Sequence, residues 1–308
     1  MTPEVLCVGE TMVLVTPVAS EPLAEAGLFR LEVGGAESTV ALYLAERGHH
    51  AAWASRVGDD PLGGRILDKI RAHGVDTSWV RVDEAAPTGV YFKDPAPEGT
   101  RVHYYRAGSA ASRLSPDDLA ALPMDAGLLH LTGITPALSE SCRALVEAAL
   151  ERPGPVSFDV NYRPGLWPAG VAAPVLAELA RRADIVLVGQ DEAETLWGAS
   201  TPELVREILS GPRRLVVKDG AVGATEFDGA KVTFVPAPVV DVVEPVGAGD
   251  AFAAGYLSGV LRGREPAESL ALGHALAGRA LGSTSDFVPM AVDSASPVDP
   301  AAGRSYRG

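Results

Sequence analysis

The sequence predicts an α/β protein: a central, mainly parallel β-sheet with helices on both faces, plus a small inserted β-sheet lid. Three observations carry that expectation. Short apolar runs alternate with amphipathic helical stretches, the pattern of strands joined by crossover helices. The 33 glycines and 24 prolines fall between those runs as punctuation and nowhere gather into a linker. Two β-rich stretches, Met12 to Val33 and Thr88 to Tyr105, interrupt the alternation and read as a flap built from about residues 11–33 and 88–107.

Taken in order, Val5 to Val8 is a short strand, Glu37 to Glu46 a helix and Ala51 to Val57 a strand. Leu62 to His73 has the spacing of an amphipathic helix, and Gly74 stands where a glycine C-cap ends one. In the second interruption, GVYF and RVHYY flank the turn-rich DPAPEGT and predict antiparallel strands. The alternation resumes with strand Leu128 to Thr132, helix Ser139 to Glu151, strand Val156 to Asp159, helix Val171 to Arg182 and strand Ile185 to Val188. Thr201-Pro202 opens a further helix, an N-cap residue followed by proline at the first helical position. Val232 to Val243 is β-branched and strand-like, then Gly249 to Leu261 and Pro266 to Leu281 are helices. Residues 1–290 are expected to form one domain, and residues 291–308, rich in Pro, Ala and Gly, a poorly ordered tail.

Composition excludes several functions. A chain of 308 residues that is 47% apolar and 21% charged can bury a sizeable core and is not a disordered chain. Its 26 basic and 40 acidic residues give a net charge of -14, which repels a nucleic-acid backbone. Cys7 and Cys142 make neither a disulfide framework nor a zinc site, and point to a reducing, cytoplasmic setting. MTPEVLCVGETM lacks a basic leader region, and no run of about 18 apolar residues follows, so no membrane partner is expected.

The chemistry concentrates in EPVGAGDAFAAGYL, Glu244 to Leu257, where a small-residue turn opens directly into a helix. Gly247, Ala248 and Gly249 can aim bare amides at one point beside the positive end of the helix dipole, an anion cradle. Asp250 beside a phosphoryl group suits a general base that takes a proton from an attacking hydroxyl; as a first-turn acid it also suits the helix alone. VGGAESTVALYLAERG, Val33 to Gly48, places Gly34 and Gly35 ahead of a helix whose first turn carries Glu37, Ser38 and Thr39, polar groups for a polyhydroxylated ligand or for capping. Gly58, Asp59-Asp60 and Gly63 follow downstream.

With these two glycine patterns in order, the sequence resembles the ribokinase-like, PfkB-type carbohydrate kinases, from the N-terminus to about Pro289. The resemblance implies a ribokinase-like fold and transfer of the ATP γ-phosphoryl group to a sugar hydroxyl, with Asp250 as base and the Gly247–Gly249 turn as anion hole. It implies that Lys218, Gly220 and Gly223 of KDGAVGA run along the nucleotide, a stretch that otherwise reads as a hairpin turn. It implies that Glu192 helps organise Mg2+, although Gly189 replaces the family's asparagine. His274 falls at the adenine end of the site in relatives, or packs on its helix face.

Within the family the chain is most similar to 2-keto-3-deoxygluconate kinases, through GGAES, TGVYF, YYRAGSAAS, HLTGITPALS and DVNYRPGLW. An aldonic keto-acid carries a carboxylate, and in an acidic protein only local guanidinium groups attract it. Arg106 and Arg163 stand at segment ends expected to face the cleft, with Tyr91 and Tyr104 to cover the sugar and Asp159 and Asn161 to shape the site; either arginine also suits a surface ion pair. Thr39 replaces the signature asparagine, and Glu244-Pro245 replaces its Asp-Thr opening next to a monovalent-cation position that some relatives use. A kinase for a neutral sugar such as fructose or for another sugar acid, and a non-catalytic sugar- or nucleotide-binding protein, stay open as alternatives. A homodimer or higher homo-oligomer through the lid is expected by analogy.

Overall fold

The apolar runs become the middle of a nine-stranded sheet. The computed structural model describes residues 2–19, 21–96 and 99–290, so the 291–308 tail and part of the DPAPEGT turn lie outside the described residues. In chain order the first elements are β1 (Val5–Val8), β2 (Met12–Pro17), β3 (Phe29–Gly34), α1 (Ala36–Glu46), β4 (Ala51–Gly58), α2 (Pro61–Ala72), β5 (Val80–Asp83), β6 (Val90–Asp94) and β7 (Arg101–Tyr105). Next are α3 (Pro116–Leu119), β8 (Leu128–Thr132), α4 (Glu140–Ala149), β9 (Val156–Asp159), α5 (Ala169–Arg182), β10 (Ile185–Gly189), α6 (Gln190–Trp197) and α7 (Pro202–Ile208). Last are β11 (Arg214–Asp219), β12 (Gly223–Asp228), β13 (Lys231–Pro236), α8 (Ala248–Leu261) and α9 (Pro266–Leu281).

The large sheet has the order β13-β12-β11-β10-β9-β8-β1-β4-β5. Its seven strands from β11 to β5 are parallel, and β12 and β13 extend one edge antiparallel. Alternate side chains feed two cores: Leu6 and Val8 of β1 pack with α4 to α7, whereas Val5 and Cys7 pack with α1, α2, α8 and α9. Burial on both faces is why these strands read as unbroken apolar runs. On the second face α8 and α9 touch at Gly255, where any Cβ would collide with the Leu272 carbonyl.

Two expectations are corrected. The lid sheet, order β3-β2-β6-β7, is not wholly antiparallel: β2 pairs with β3 and β6 with β7 antiparallel, but the central pair, β2 and β6, is parallel. Each hairpin leaves the main sheet after a strand of the same direction, β1 or β5, so both enter the lid the same way. The strand expected over Val232 to Val243 stops at Pro236, and Pro236 and Pro238 withhold the amides that would continue the ladder. The KDGAVGA stretch is the turn of the β11–β12 hairpin, with Gly220 at φ +43°. Among the described residues no helix is long and apolar enough to cross a membrane.

Candidate active site

Strands β9, β10 and β11 end side by side, Leu187 opposite Asp159 and Gly189 opposite Lys218. Parallel sheets bind ligands at this carboxyl edge. Lys218 Nζ donates to Asp159 Oδ2 at 2.8 Å, and a Cβ built on Gly249 would lie 3.7 Å from that ammonium. One lysine therefore lies between the sheet edge and the glycine turn. Burial alone would depress its pKa, yet the carboxylates of Asp159 and Glu192 hold it above the ordinary lysine value, so the ammonium stays charged.

The turn has a local cause. Gly247, the N-cap of α8, takes φ +84°, and a Cβ there would come within 2.9 Å of the Asp286 main chain. Only glycine fits both demands. The Ala248 amide closes the turn on the Pro245 carbonyl at 3.3 Å, while Gly249 and Asp250 have first-turn amides with no intrahelical acceptor. These amides and the helix dipole favour an anion here.

Asp250 is half-buried at this helix start, and Asn161 Nδ2 donates to its Oδ1 at 3.0 Å. Asn161 follows β9 at φ +39°, a left-handed conformation that asparagine tolerates better than most residues, and it turns its amide onto that carboxylate. Burial pushes the Asp250 carboxyl up to about 7; Arg163 opposes the rise, Asp159 and Asp286 add to it, and Lys218 opposes it. A carboxylate with a pKa near neutrality is suited to take a proton from an alcohol.

Glu192 uses Oε2 to cap its own helix, accepting from the Gly189 amide at 2.8 Å, and holds Oε1 3.7 Å from Arg163 Nη1. Burial raises its pKa, against the pull of Lys218. Asp159 Oδ1 is buried without a hydrogen-bond partner among the described residues. These hard oxygens suit Mg2+ that arrives on a phosphate with its own waters. They do not form a cage: among the described residues no three His, Cys, Asp or Glu side chains converge to hold a metal.

At the lid, strand β7 and the loop after β9 face each other across a cleft of about 630 Å³ lined by Tyr104, Tyr105, Arg163 and Pro164. Tyr91 stacks on Tyr104 at 5.7 Å, and Arg106 lies over the Tyr104 ring at 5.5 Å. Arg106 is buried and paired: Glu10 Oε2 accepts from its Nε at 2.6 Å and from Nη2, while Glu10 Oε1 accepts from Ser109 Oγ at 2.6 Å. Arg163, with 45% of its side chain exposed, is the freer guanidinium. Gly34 lies so close to the Tyr91 hydroxyl and the Asp286 carboxylate that a side chain would displace both, and Gly35 packs on Glu10 and Thr11. Ser38 and Thr39 are buried, with Ser38 Oγ bonded to the Gly35 carbonyl at 3.1 Å, so neither is open to solvent. Beside them the fully buried Glu37 accepts from Thr132 at 2.7 Å and Thr135 at 2.8 Å.

Sequence reasoning missed three participants. Glu10 follows β1, Lys93 lies on β6, and Asp286 comes after α9 and accepts from the Tyr91 hydroxyl at 2.9 Å. Lys93 had a legible signal, since it shares the inward period-two face of β6 with Tyr91 in a chain with four lysines. His274 is committed elsewhere: its Nε2 meets the Val235 carbonyl at 3.1 Å and its ring packs edge-on against Phe252.

A protein-family model described as pfkB family carbohydrate kinase matches residues 2–290. The chain belongs to that family. It is an ATP-dependent sugar kinase with a ribokinase-like fold. It is 36% identical to a 2-dehydro-3-deoxygluconokinase of Thermoproteus tenax over 291 residues, 91% of this chain and 89% of the relative. It is 35% identical to a 2-dehydro-3-deoxygalactonokinase of Haloferax volcanii, covering 90% of each chain. The crystal structure of a PfkB protein from Polaromonas sp. JS666 superposes with a TM-score of 0.83 at 36% identity, over 90% of this chain and 95% of the other.

Proposed function

We propose that this kinase phosphorylates the terminal hydroxyl of 2-keto-3-deoxygluconate or a close keto-deoxy aldonic acid, giving 2-keto-3-deoxy-6-phosphogluconate from the former. The observation that carries the reading is the carboxylate of Asp250, its pKa raised to about 7, set at the start of α8 beside Lys218 and the glycine turn. Asp250 accepts the hydroxyl proton as the oxygen attacks the γ-phosphorus. The bond to the β–γ bridging oxygen breaks, and ADP leaves with that electron pair. The amides after Gly247 and the Lys218 ammonium hold the charge spread over the transferring group. Glu192 and Asp159 would hold Mg2+ through its waters, and the metal supplies charge neutralisation on the phosphates. Gly220 and Gly223 keep the β11–β12 turn low beside the nucleotide, while the exposed Val239, Val242 and Val243 offer the base an apolar flank. The buried His274 packs against Val235, at the end of β13, and Phe252.

The keto-acid's carboxylate meets Arg163 and the Nη1 edge of Arg106, and Tyr91 and Tyr104 cover the carbon chain. The names of the two relatives support this substrate class in both the gluconate and the galactonate series. One observation favours a neutral sugar instead: Glu10 already balances the charge of Arg106. ADP release with Mg2+ on 2-keto-3-deoxygluconate, 2-keto-3-deoxygalactonate, fructose, ribose and gluconate separates these readings. Highest kcat/KM on a keto-deoxy acid, lost in Arg163→Ala, supports the proposal; highest kcat/KM on fructose overturns the substrate, and sugar binding without ADP release overturns the kinase chemistry.

The lid has a second role in this reading. Leu28, Phe29 and Leu31 on one edge and Tyr105 on the other stay exposed, an apolar surface suited to a second copy of the chain. Light scattering of a Phe29→Glu variant at half the wild-type mass supports that dimer, and a monomeric wild type removes it.

A further inference from the structure

The ammonium of Lys93 is buried where the lid meets the underside of the glycine turn. Nζ lies 2.9 Å from Glu244 Oε1 and 3.5 Å from Asp286 Oδ1, and donates to the Thr284 carbonyl at 3.0 Å. Neither of those carboxylate oxygens has another donor among the described residues. Glu244 opens the segment that becomes the glycine turn, and the Asp286 main chain backs Gly247 within 2.9 Å of where a Cβ would stand. Asp286 also accepts from Tyr91, two residues before Lys93 on the same strand.

From this arrangement we infer that Lys93 is a positioning residue for phosphoryl transfer, a tethered cation that holds Glu244 and Asp286 together beneath the turn and locks lid strand β6 to it. Two buried carboxylates without a cation would repel each other, and they would repel an incoming phosphate on the far side of the turn. A mobile monovalent ion could balance them only if it displaced Lys93, because the oxygens that would ligate it already surround the ammonium. The cation expected beside Glu244 is therefore supplied by the chain itself.

The inference rests on the kinase reading for its rate consequence but not for its binding consequence, and both can be measured. Activity is compared in sodium, potassium and tetramethylammonium chloride, the last too large to enter the site. Wild-type kcat should agree within about twofold across the three salts. Lys93→Ala in tetramethylammonium should lose about 50-fold or more in kcat with the sugar KM changed less than about threefold, and potassium or ammonium should restore at least tenfold. Without sugar or ATP, potassium should raise the Tm of Lys93→Ala by about 3 °C or more over tetramethylammonium and leave wild type unmoved. A wild type activated tenfold by potassium overturns the inference without any variant. So does a Lys93→Ala protein that keeps its kcat or whose Tm ignores potassium. The melting comparison uses no substrate, so a wrong sugar leaves it standing.

Discussion

The two halves of the site are built on opposite plans. At the phosphate end, Asp159, Lys218 and Glu192 sit on or just beyond three adjacent parallel strands, whose register fixes their spacing before any ligand arrives. At the lid end, Tyr91 and Lys93 come from an inserted strand and meet Glu244 and Asp286, which are distant in sequence. The first half inherits its precision from the sheet, whereas the second has only side-chain bonds to hold the lid sheet against the main one. Damage to the first should therefore appear mainly in the chemical step. Damage to the second should appear in how well the lid seats on the sugar, except at Lys93, whose charge lies beneath the glycine turn and bears on the chemical step.

The sharpest break is at the phosphate end. Asp250→Asn should lower kcat by about 10³-fold or more, read as single-turnover ADP formation, because it removes the proposed base and leaves binding intact. The same change should stabilise the protein. A carboxyl whose folded pKa lies near 7 binds its proton more tightly folded than unfolded, so its ionisation penalty is absent below about pH 4 and complete above about pH 7. At pH 8 Asp250→Asn should melt a few degrees above wild type, a gain of about 1 kcal/mol once partial exposure is allowed for, and at pH 4 the two should coincide.

Next in size is Lys218→Met, which removes the charge between β11 and the turn and leaves Asp159 and Glu192 uncompensated. Its kcat should fall by about 10²-fold, with the KM for ATP rising. A pH profile sharpens the comparison further: kcat/KM should climb about tenfold per unit up to about pH 7 and then level, reporting the free enzyme's base. Arg163 holds that pKa down, so Arg163→Ala should move the break to higher pH.

The smallest expected effect lies at the lid tyrosine. Tyr91→Phe deletes the hydroxyl that donates to Asp286 and should raise the sugar KM about threefold to tenfold with kcat reduced less. An equal fall in kcat alone would place the lid contact in the chemical step and erase the contrast between the halves.

The same division explains what could be read in advance. The strand–helix alternation was legible because burial on both faces forces long apolar runs, and Val5–Val8, Leu128–Thr132 and Val156–Asp159 fall where the pattern puts them. The glycine turn was legible because its residues are contiguous and their types follow from backbone demands at one point. Asp286 was not, because nothing in the spacing of Ser283 to Phe287 marks a segment that returns to Gly34 and Gly247. The parallel lid pair escaped for a related reason, since each hairpin looks antiparallel alone and only the sheet decides how two of them meet. Ser38 and Thr39 read as groups for a polyhydroxylated ligand or for capping, and their burial was not legible because a helix start carries polar residues whether it faces solvent or the interior.

Among the described residues, Asp286 follows the last strand and the last helix. A growing polypeptide can complete both sheets and the α8–α9 pair while still lacking the carboxylate that backs the turn and receives the lid tyrosine. On the ribosome, the backing of the turn and the anchor of the lid tyrosine should thus be added only after the strands and helices they join have been made.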